Sequence, residues 1–255
     1  MNDSVCAEHD RNKNPNLMKR KSYIMWKIKH IFDGDYGCEE VNGPRTVSVT
    51  IINEKNEEKI ESVPEIWLMK SALDKGSVWP DYSDFSIKTE GLILKKAKQE
   101  DWKDMYNNLW RYEESAKYML WDVSTSEDEA IERARKSVAF QKVTKYAFFI
   151  YEKETNVAIG FAGMKEIEPG VYEDTGIAIG PAYTQKGYGI QILNALVEEA
   201  KCCGAHKFIA SCRKQNIASH NLQMKCGFHF VNEETRIDPR TGESYILEFN
   251  EKQLN

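Results

Sequence analysis

A chain of 255 residues is long for one compact core and natural for a domain of about 150 residues with a smaller module attached. With 41% hydrophobic and 29% charged residues it can bury a core, which excludes a largely disordered chain. A formal net charge of −5 argues against nonspecific nucleic-acid binding, and no run approaches the roughly 18 consecutive apolar residues of a membrane span.

Residues 1–21 are polar and charged without any apolar period, and read as a leader with neither fold nor function. They contain no apolar signal-peptide core, so the expected compartment is the cytoplasm. From Tyr23 to Ile31 the run YIMWKIKHI is strand-like, and TVSVTIIN alternates as a half-buried strand should. A polar tip, NEKNEEK, separates it from the returning strand KIESV, after which Pro64 is placed to open a short helix, EIWLMKSAL. Residues 22–82 therefore read as a small β-rich accessory module. It carries no convergent polar motif, and support or an interaction surface suits it better than catalysis.

Beyond Lys88 the pattern becomes mixed. ILKKA reads as a strand. Trp102, Met105, Tyr106, Leu109 and Trp110 then recur at helical spacing, with core packing as their first expectation. Ser126 and Glu129 form a capping box ahead of a helix lined by Ile131, Ala134, Val138 and Ala139. Three strands follow, YAFFIYE, VAIGFAGMKEI and TGIAIG, the second pair joined across Pro169–Gly170. Ile190, Leu193, Leu196, Val197 and Ala200 mark a long amphipathic helix ending near Gly204. The strand HKFIASC, a helix from Ile217 to Cys226, and a hairpin across DPRTGE complete the order β-αα-βββ-α-β-α-ββ.

The informative stretch is GPAYTQKGYGIQIL, between a strand and that amphipathic helix. Gly187 and Gly189 let the backbone approach an anion, and the helix N-terminus supplies unpaired N–H groups and a positive dipole end. A phosphate-binding P-loop would need Gly-Lys-Ser/Thr, and the residues after Gly189 are Ile190 and Gln191. A dinucleotide-binding turn would need a glycine or alanine where Ile192 stands.

What remains, a glutamine ahead of G-x-G, resembles the Q-x-x-G-x-G pyrophosphate loop of the GNAT N-acetyltransferases. Downstream, Asn216, Ser219 and the run Lys225-Cys226-Gly227-Phe228 resemble the family's second signature, N-x-x-(A/S)…K-x-G-F. The resemblance covers residues 88–250 and is nearest to the branch of ribosomal-protein N-terminal acetyltransferases. It implies an α/β (α+β) GNAT fold, a mixed and mostly antiparallel sheet flanked by helices, preceded here by the small β-rich domain. It also implies acetyl-CoA as co-substrate and direct transfer to an amine, small molecule or peptide, with no nucleic acid, no membrane and a homodimer possible.

Carried over residue by residue, the resemblance puts Gln185, Lys186, Gly187, Tyr188, Gly189 and Ile190 on the diphosphate. Ile177, Ala178 and Ile179 fall beside the pantetheine and acetyl carbonyl, and Asn216 and Ser219 near the cofactor arm. Asn216 reads equally as a helix N-cap, and Lys186 as a solvated loop lysine. Asp174 is the first candidate for the base that deprotonates the amine and Glu173 the second; a solvated acid at a strand end is the bland alternative. Gln223 stands where many relatives carry a tyrosine acid. This keeps open a coenzyme-binding sensor or scaffold without transfer, and an interaction protein acting through residues 22–82 is a third reading.

The six cysteines, Cys6, Cys38, Cys202, Cys203, Cys212 and Cys226, form no CxxC pair. His30, His206, His220 and His229 lack ligand spacing, so no metal is expected. Cys212 has no sequence neighbour to activate it as a nucleophile.

Overall fold

A computed structural model describes residues 25–32 and 46–254; the expected leader, 1–21, lies outside them. The chain divides into two compact units, one ending at Asp81 and the other beginning at Tyr82.

The first unit is a three-stranded antiparallel sheet of β1 (Trp26–Phe32), β2 (Thr46–Asn53) and β3 (Glu58–Pro64), with helix α1 (Glu65–Lys70) directly after it. Alternation decides its inner face: Val47, Val49 and Ile51 of β2 are buried, with Ile28 of β1 and Val63 of β3. Pro64 ends β3 rather than opening the helix, which starts at Glu65.

The second unit holds an eight-stranded sheet in the order β10-β11-β9-β8-β7-β6-β5-β4. Its elements in chain order begin with β4 (Ser86–Lys88), β5 (Leu92–Lys95), α2 (Trp102–Met105), α3 (Glu113–Ala116), α4 (Glu127–Val143), β6 (Ala147–Glu152), β7 (Ala158–Glu168) and β8 (Val171–Ile179). They end with α5 (Tyr188–Cys202), β9 (Lys207–Arg213), α6 (Ile217–Lys225), β10 (His229–Ile237) and β11 (Ser244–Gln253). Every neighbouring pair is antiparallel except β8 with β9.

The middle strands are buried on both faces. In β6, Phe148 and Ile150 pack with Leu193, Leu196 and Val197 of α5, while Phe149 and Tyr151 pack with Met105, Leu109, Trp110 and Ala134 on the opposite side. The sheet is thus a middle layer between helices, and apolar burial at about 25 cal/mol per Å² holds both interfaces.

Two features of the helices differ from the sequence expectation. The buried stripe of α4 is Ala130, Ala134, Gln141 and Val143, and Ile131 and Ala139 face solvent. The cap of α4 is only half a box: Ser126 accepts from the Glu129 N–H, but the Glu129 carboxylate accepts from Thr125 N–H and Oγ. Among the described residues no helix is long and apolar enough to cross a membrane.

Candidate active site

The strands β8 and β9 run parallel for only three rungs, Val171↔Lys207, Tyr172↔Phe208 and Glu173↔Ile209. Beyond Glu173 they separate. The cause is local, because the pairing of β8 with β7 slips between Ala162↔Ile177 and Met164↔Asp174, a bulge over Thr175 and Gly176. Gly176 takes φ +111 there, a conformation rarely open to side-chain-bearing residues. Past the fork β9 stays paired with β11 and β8 with β7, so the gap opens between two intact ladders. The gap is part of a cleft of about 600 Å³.

Asp174 sits at the fork. One carboxylate oxygen accepts from the Ser211 N–H of β9 at 3.0 Å and the other from the Gly176 N–H at 3.2 Å. The side chain therefore spans the strands where backbone pairing stops, and it is not a solvated acid. Withdrawal from water pushes its pKa up to about 7, although both N–H donors favour the anion; nearby Glu173 adds to the rise and Lys165 opposes it. Glu173 lines the same cleft but is held by Lys165 at 3.1 Å across the β7–β8 ladder.

Strand alternation then sorts the next candidates. Ile177 and Ile179 line the cleft, whereas the Ala178 side chain points into the core on the α4 side. The Ala178 side chain therefore cannot face a cleft ligand, and only its backbone remains available. The end of β8 is fixed by a π-turn over Tyr106–Trp110: Asn108 donates to the Ala158 carbonyl, and its own carbonyl would lie 2.2 Å from a Cβ on Gly180.

At the cleft mouth Gln185 has φ +61 and Gly187 φ +78, two left-handed residues flanking Lys186, and α5 starts at Tyr188. The N-cap is Gly187, and no side chain caps the helix. By helix geometry the first-turn N–H groups have no intrahelical acceptor, and left-handed turns of this kind curl successive amides into an anion-binding nest. Counting the family spacing back from Gly187 places its first position at Thr184, not Gln185. Thr184 lines the cleft, while Gln185, Lys186 and Gly187 are exposed at its rim.

The side chains of this loop mostly work elsewhere. Tyr188 donates to Glu152 at 2.9 Å, Lys186 lies over the Tyr183 ring, and Ile190 faces solvent. Gly189 lines the cleft and packs tightly on Leu222 of α6.

Asn216 is the N-cap of α6, accepting from the Ser219 N–H at 3.2 Å, and both residues line the cleft. Gln223 is buried and fully engaged: its amide N–H groups donate to the Ser211 carbonyl and Ser219 Oγ, and its carbonyl accepts from Asn250 at 2.6 Å. It ties α6 to β9 and β11 and has no proton to give. Burial pushes the Cys212 thiol up to about 11, which makes it a poor nucleophile.

The far wall was not read from sequence as a unit. Tyr118 and Trp121, from the aromatic set, line the cleft, while Trp110 is core. Facing them, Arg213 stacks on Tyr245 at 3.9 Å and pairs with Asp238 at 2.6 Å. Arg240 also pairs with Asp238 and donates to the Trp121 carbonyl at 2.8 Å, so the β10–β11 turn clamps the segment before α4. No periodicity joins residues so far apart in the chain.

Comparison with known proteins bears on what such a cleft does. The family model described as "Acetyltransferase (GNAT) domain" matches residues 91–229. The L-methionine sulfoximine/L-methionine sulfone acetyltransferase of Salmonella typhimurium is 28% identical over 116 residues, 42% of this chain and 64% of that protein. The chain thus spans less than two thirds of that relative's own length. The L-amino acid N-acyltransferase MnaT of Escherichia coli is 24% identical over 148 residues, 54% of this chain and 83% of that protein. Among solved structures, the Salmonella typhimurium acetyl transferase that modifies the N-terminal serine of ribosomal protein L7/L12 aligns with TM-score 0.55 and 17% identity, covering 67% of this chain and 100% of that one. The microcin C7 self immunity acetyltransferase MccE, in complex with acetyl-CoA and AMP, aligns with TM-score 0.55 and 18% identity, covering 65% of this chain and 94% of that one. At these identities the structural likeness speaks for the fold.

Proposed function

We propose, from the premise that this chain belongs to the GNAT acetyltransferase family, that it transfers an acetyl group from acetyl-CoA to a primary amine in a ternary complex. The observation that carries this reading is the fork itself: a gap between two strands, an uncapped helix N-terminus at its mouth and a carboxyl of raised pKa at its base.

The chemistry asked of the residues is modest. The Gly187 turn and the first-turn amides of α5 would hold the diphosphate. The β8 backbone that loses its partner beyond Glu173 would pair with the pantetheine amides, with Ile177 and Ile179 packing beside it. A backbone N–H of this stretch would stabilise the oxyanion as the amine nitrogen bonds to the thioester carbon. Asp174, with a pKa near the working pH, would take the proton the ammonium must lose. The carbon–sulfur bond then breaks, the second proton of the attacking nitrogen passes to water as the amide forms, and the sulfur leaves as a thiolate without a dedicated acid. That is tolerable for a thiol with a reference pKa of about 8.5.

For the acceptor we favour a small amine, an amino acid or its analogue, because the two curated relatives act on such molecules. The wall of Tyr118, Trp121 and Tyr245 suits an apolar or planar side chain. For the first unit we propose support or partner contact, since its sequence carries no convergent polar motif. The test is thiol release from acetyl-CoA over a panel of amino acids and analogues. Saturable coenzyme binding with no release on any amine would replace the transferase by a sensor.

A further inference from the structure

We propose that Cys212, His220 and Glu248 form a divalent-metal site of the zinc type in the wall of the cleft. The site rests on three elements that meet only in the fold. Cys212 of β9 and Glu248 of β11 are directly opposed partners in the antiparallel ladder. His220 projects from the first turn of α6, which begins shortly after β9 ends. One thiol sulfur, one ring nitrogen and one carboxylate oxygen from the three lie within 4.8 Å of one another. Within the cluster His220 Nδ1 lies 3.0 Å from Glu248 Oε2.

Bonds of about 2.0–2.3 Å to sulfur, nitrogen and oxygen in a tetrahedral ion set its donors roughly 3.3–3.6 Å apart, so His220 and Glu248 would part slightly and any wider pair would close on the ion. The donor set selects the metal: one thiolate and one imidazole exclude calcium and magnesium, which take oxygen ligands, and suit zinc. Burial supports a built site, because Cys212 is 6% exposed and Glu248 8%. The His220 side chain is 31% exposed, which gives the ion a route in. Three protein ligands leave a fourth position free for water or an outside donor. The supports of the cluster are already rigid: Gln223 bonds both the Ser211 carbonyl next to Cys212 and Ser219 next to His220, and Asn250, two residues from Glu248, bonds Gln223.

The site has a consequence for the cleft, since Cys212 and Ser219 also line it. An ion there would fasten α6 to β9 and β11 and place a Lewis acid beside the space where we place the coenzyme sulfur. Zinc should therefore inhibit transfer, but the proposal itself stands on binding and does not depend on the acetyl-transfer reading.

The test is a titration of the metal-free full chain with Co²⁺, followed by displacement with Zn²⁺. A thiolate-to-cobalt charge-transfer absorption saturating at about one equivalent is expected from a site with one cysteine ligand. Cys212→Ser should abolish it, His220→Asn and Glu248→Gln should weaken binding by about tenfold or more, and Cys202→Ser should leave it intact. Circular dichroism of the metal-free variants checks folding. If Cys212→Ser fails that check, Glu248→Gln, which keeps the side-chain shape, decides. No absorption in the wild type, an absorption that survives Cys212→Ser, or unchanged cobalt affinity in Glu248→Gln would each overturn the site.

Discussion

Replacing Asp174 by Asn separates what this carboxyl does for chemistry from what it costs the fold. The amide keeps the length and one acceptor, enough for the Ser211 N–H at 3.0 Å, but it turns an NH₂ toward the Gly176 N–H that the carboxylate now accepts from. Losing that bond costs about 1–3 kcal/mol. Against this stands the burial of the charge. Raising the carboxyl from 3.8 to about 7 corresponds to about 4 kcal/mol at most. The sign follows from the direction: the folded state holds the proton more tightly, so this contribution is fully present below pH ~4 and is lost as pH rises through ~7. Asn carries no such dependence. Asp174→Asn is therefore expected to melt at or above the wild-type temperature at pH 8, by up to about 3 kcal/mol, and to lose that advantage at pH 5. Activity should move the other way, falling about 10²- to 10⁴-fold in thiol release, with the wild-type rise in kcat/KM around pH 7 flattened. Wild-type-like turnover with an unchanged pH profile would refute the base. A variant equally destabilised at pH 5 and pH 8 would refute the buried charge.

Substitutions at three further positions test the frame around it. Gly187→Ala meets nothing within 4 Å, so it isolates the strain of φ +78, about 1–2 kcal/mol. Gly187→Glu adds a negative charge at the same point, and calorimetry should find coenzyme affinity down by about 100-fold or more, well beyond the alanine variant; equal affinities would remove the loop from the diphosphate. Gln223→Leu leaves the buried Asn250 amide without its acceptor and the Ser211 carbonyl without its donor, so urea unfolding should show about 2–4 kcal/mol lost. An unchanged midpoint would mean the network is ornamental to the fold. Gly160→Ala would place a Cβ 2.1 Å from the Ala178 carbonyl, prying β8 from β7, and should yield protein that is largely insoluble or melts far lower, while a wild-type melt would contradict the described register.

What the sequence disclosed and what it withheld divide along the range of the interactions. Local devices were legible. Gly204 and Gly227 both take φ +83 just after their helices, and Ser126 does cap α4. Hydrophobic period alone located β6, β7, α5 and the closing hairpin. It misphased α4, because alanines carry the buried face there and weigh little beside the exposed Ile131. It missed β4, a strand of three residues too short to show alternation. At the site, the Gly187 turn and the Asn216 cap were readable because their conformation and bond are set within a turn of themselves. The resting partners of Asp174 were not, since Ser211 reaches it only when β9 lies alongside β8. The same holds for Cys212 and Glu248, neighbours by ladder register rather than by spacing.

The seam of three rungs between β8 and β9 has a mechanical meaning. Within the sheet, β9, β10 and β11 are laddered to the remaining strands through those rungs alone, and ties across the cleft include Asp174 on the Ser211 N–H and Arg240 on the Trp121 carbonyl. A thin molecule lying along the gap would act as the missing binding thread. Whatever occupies it should slow amide exchange in β8 and β9 together.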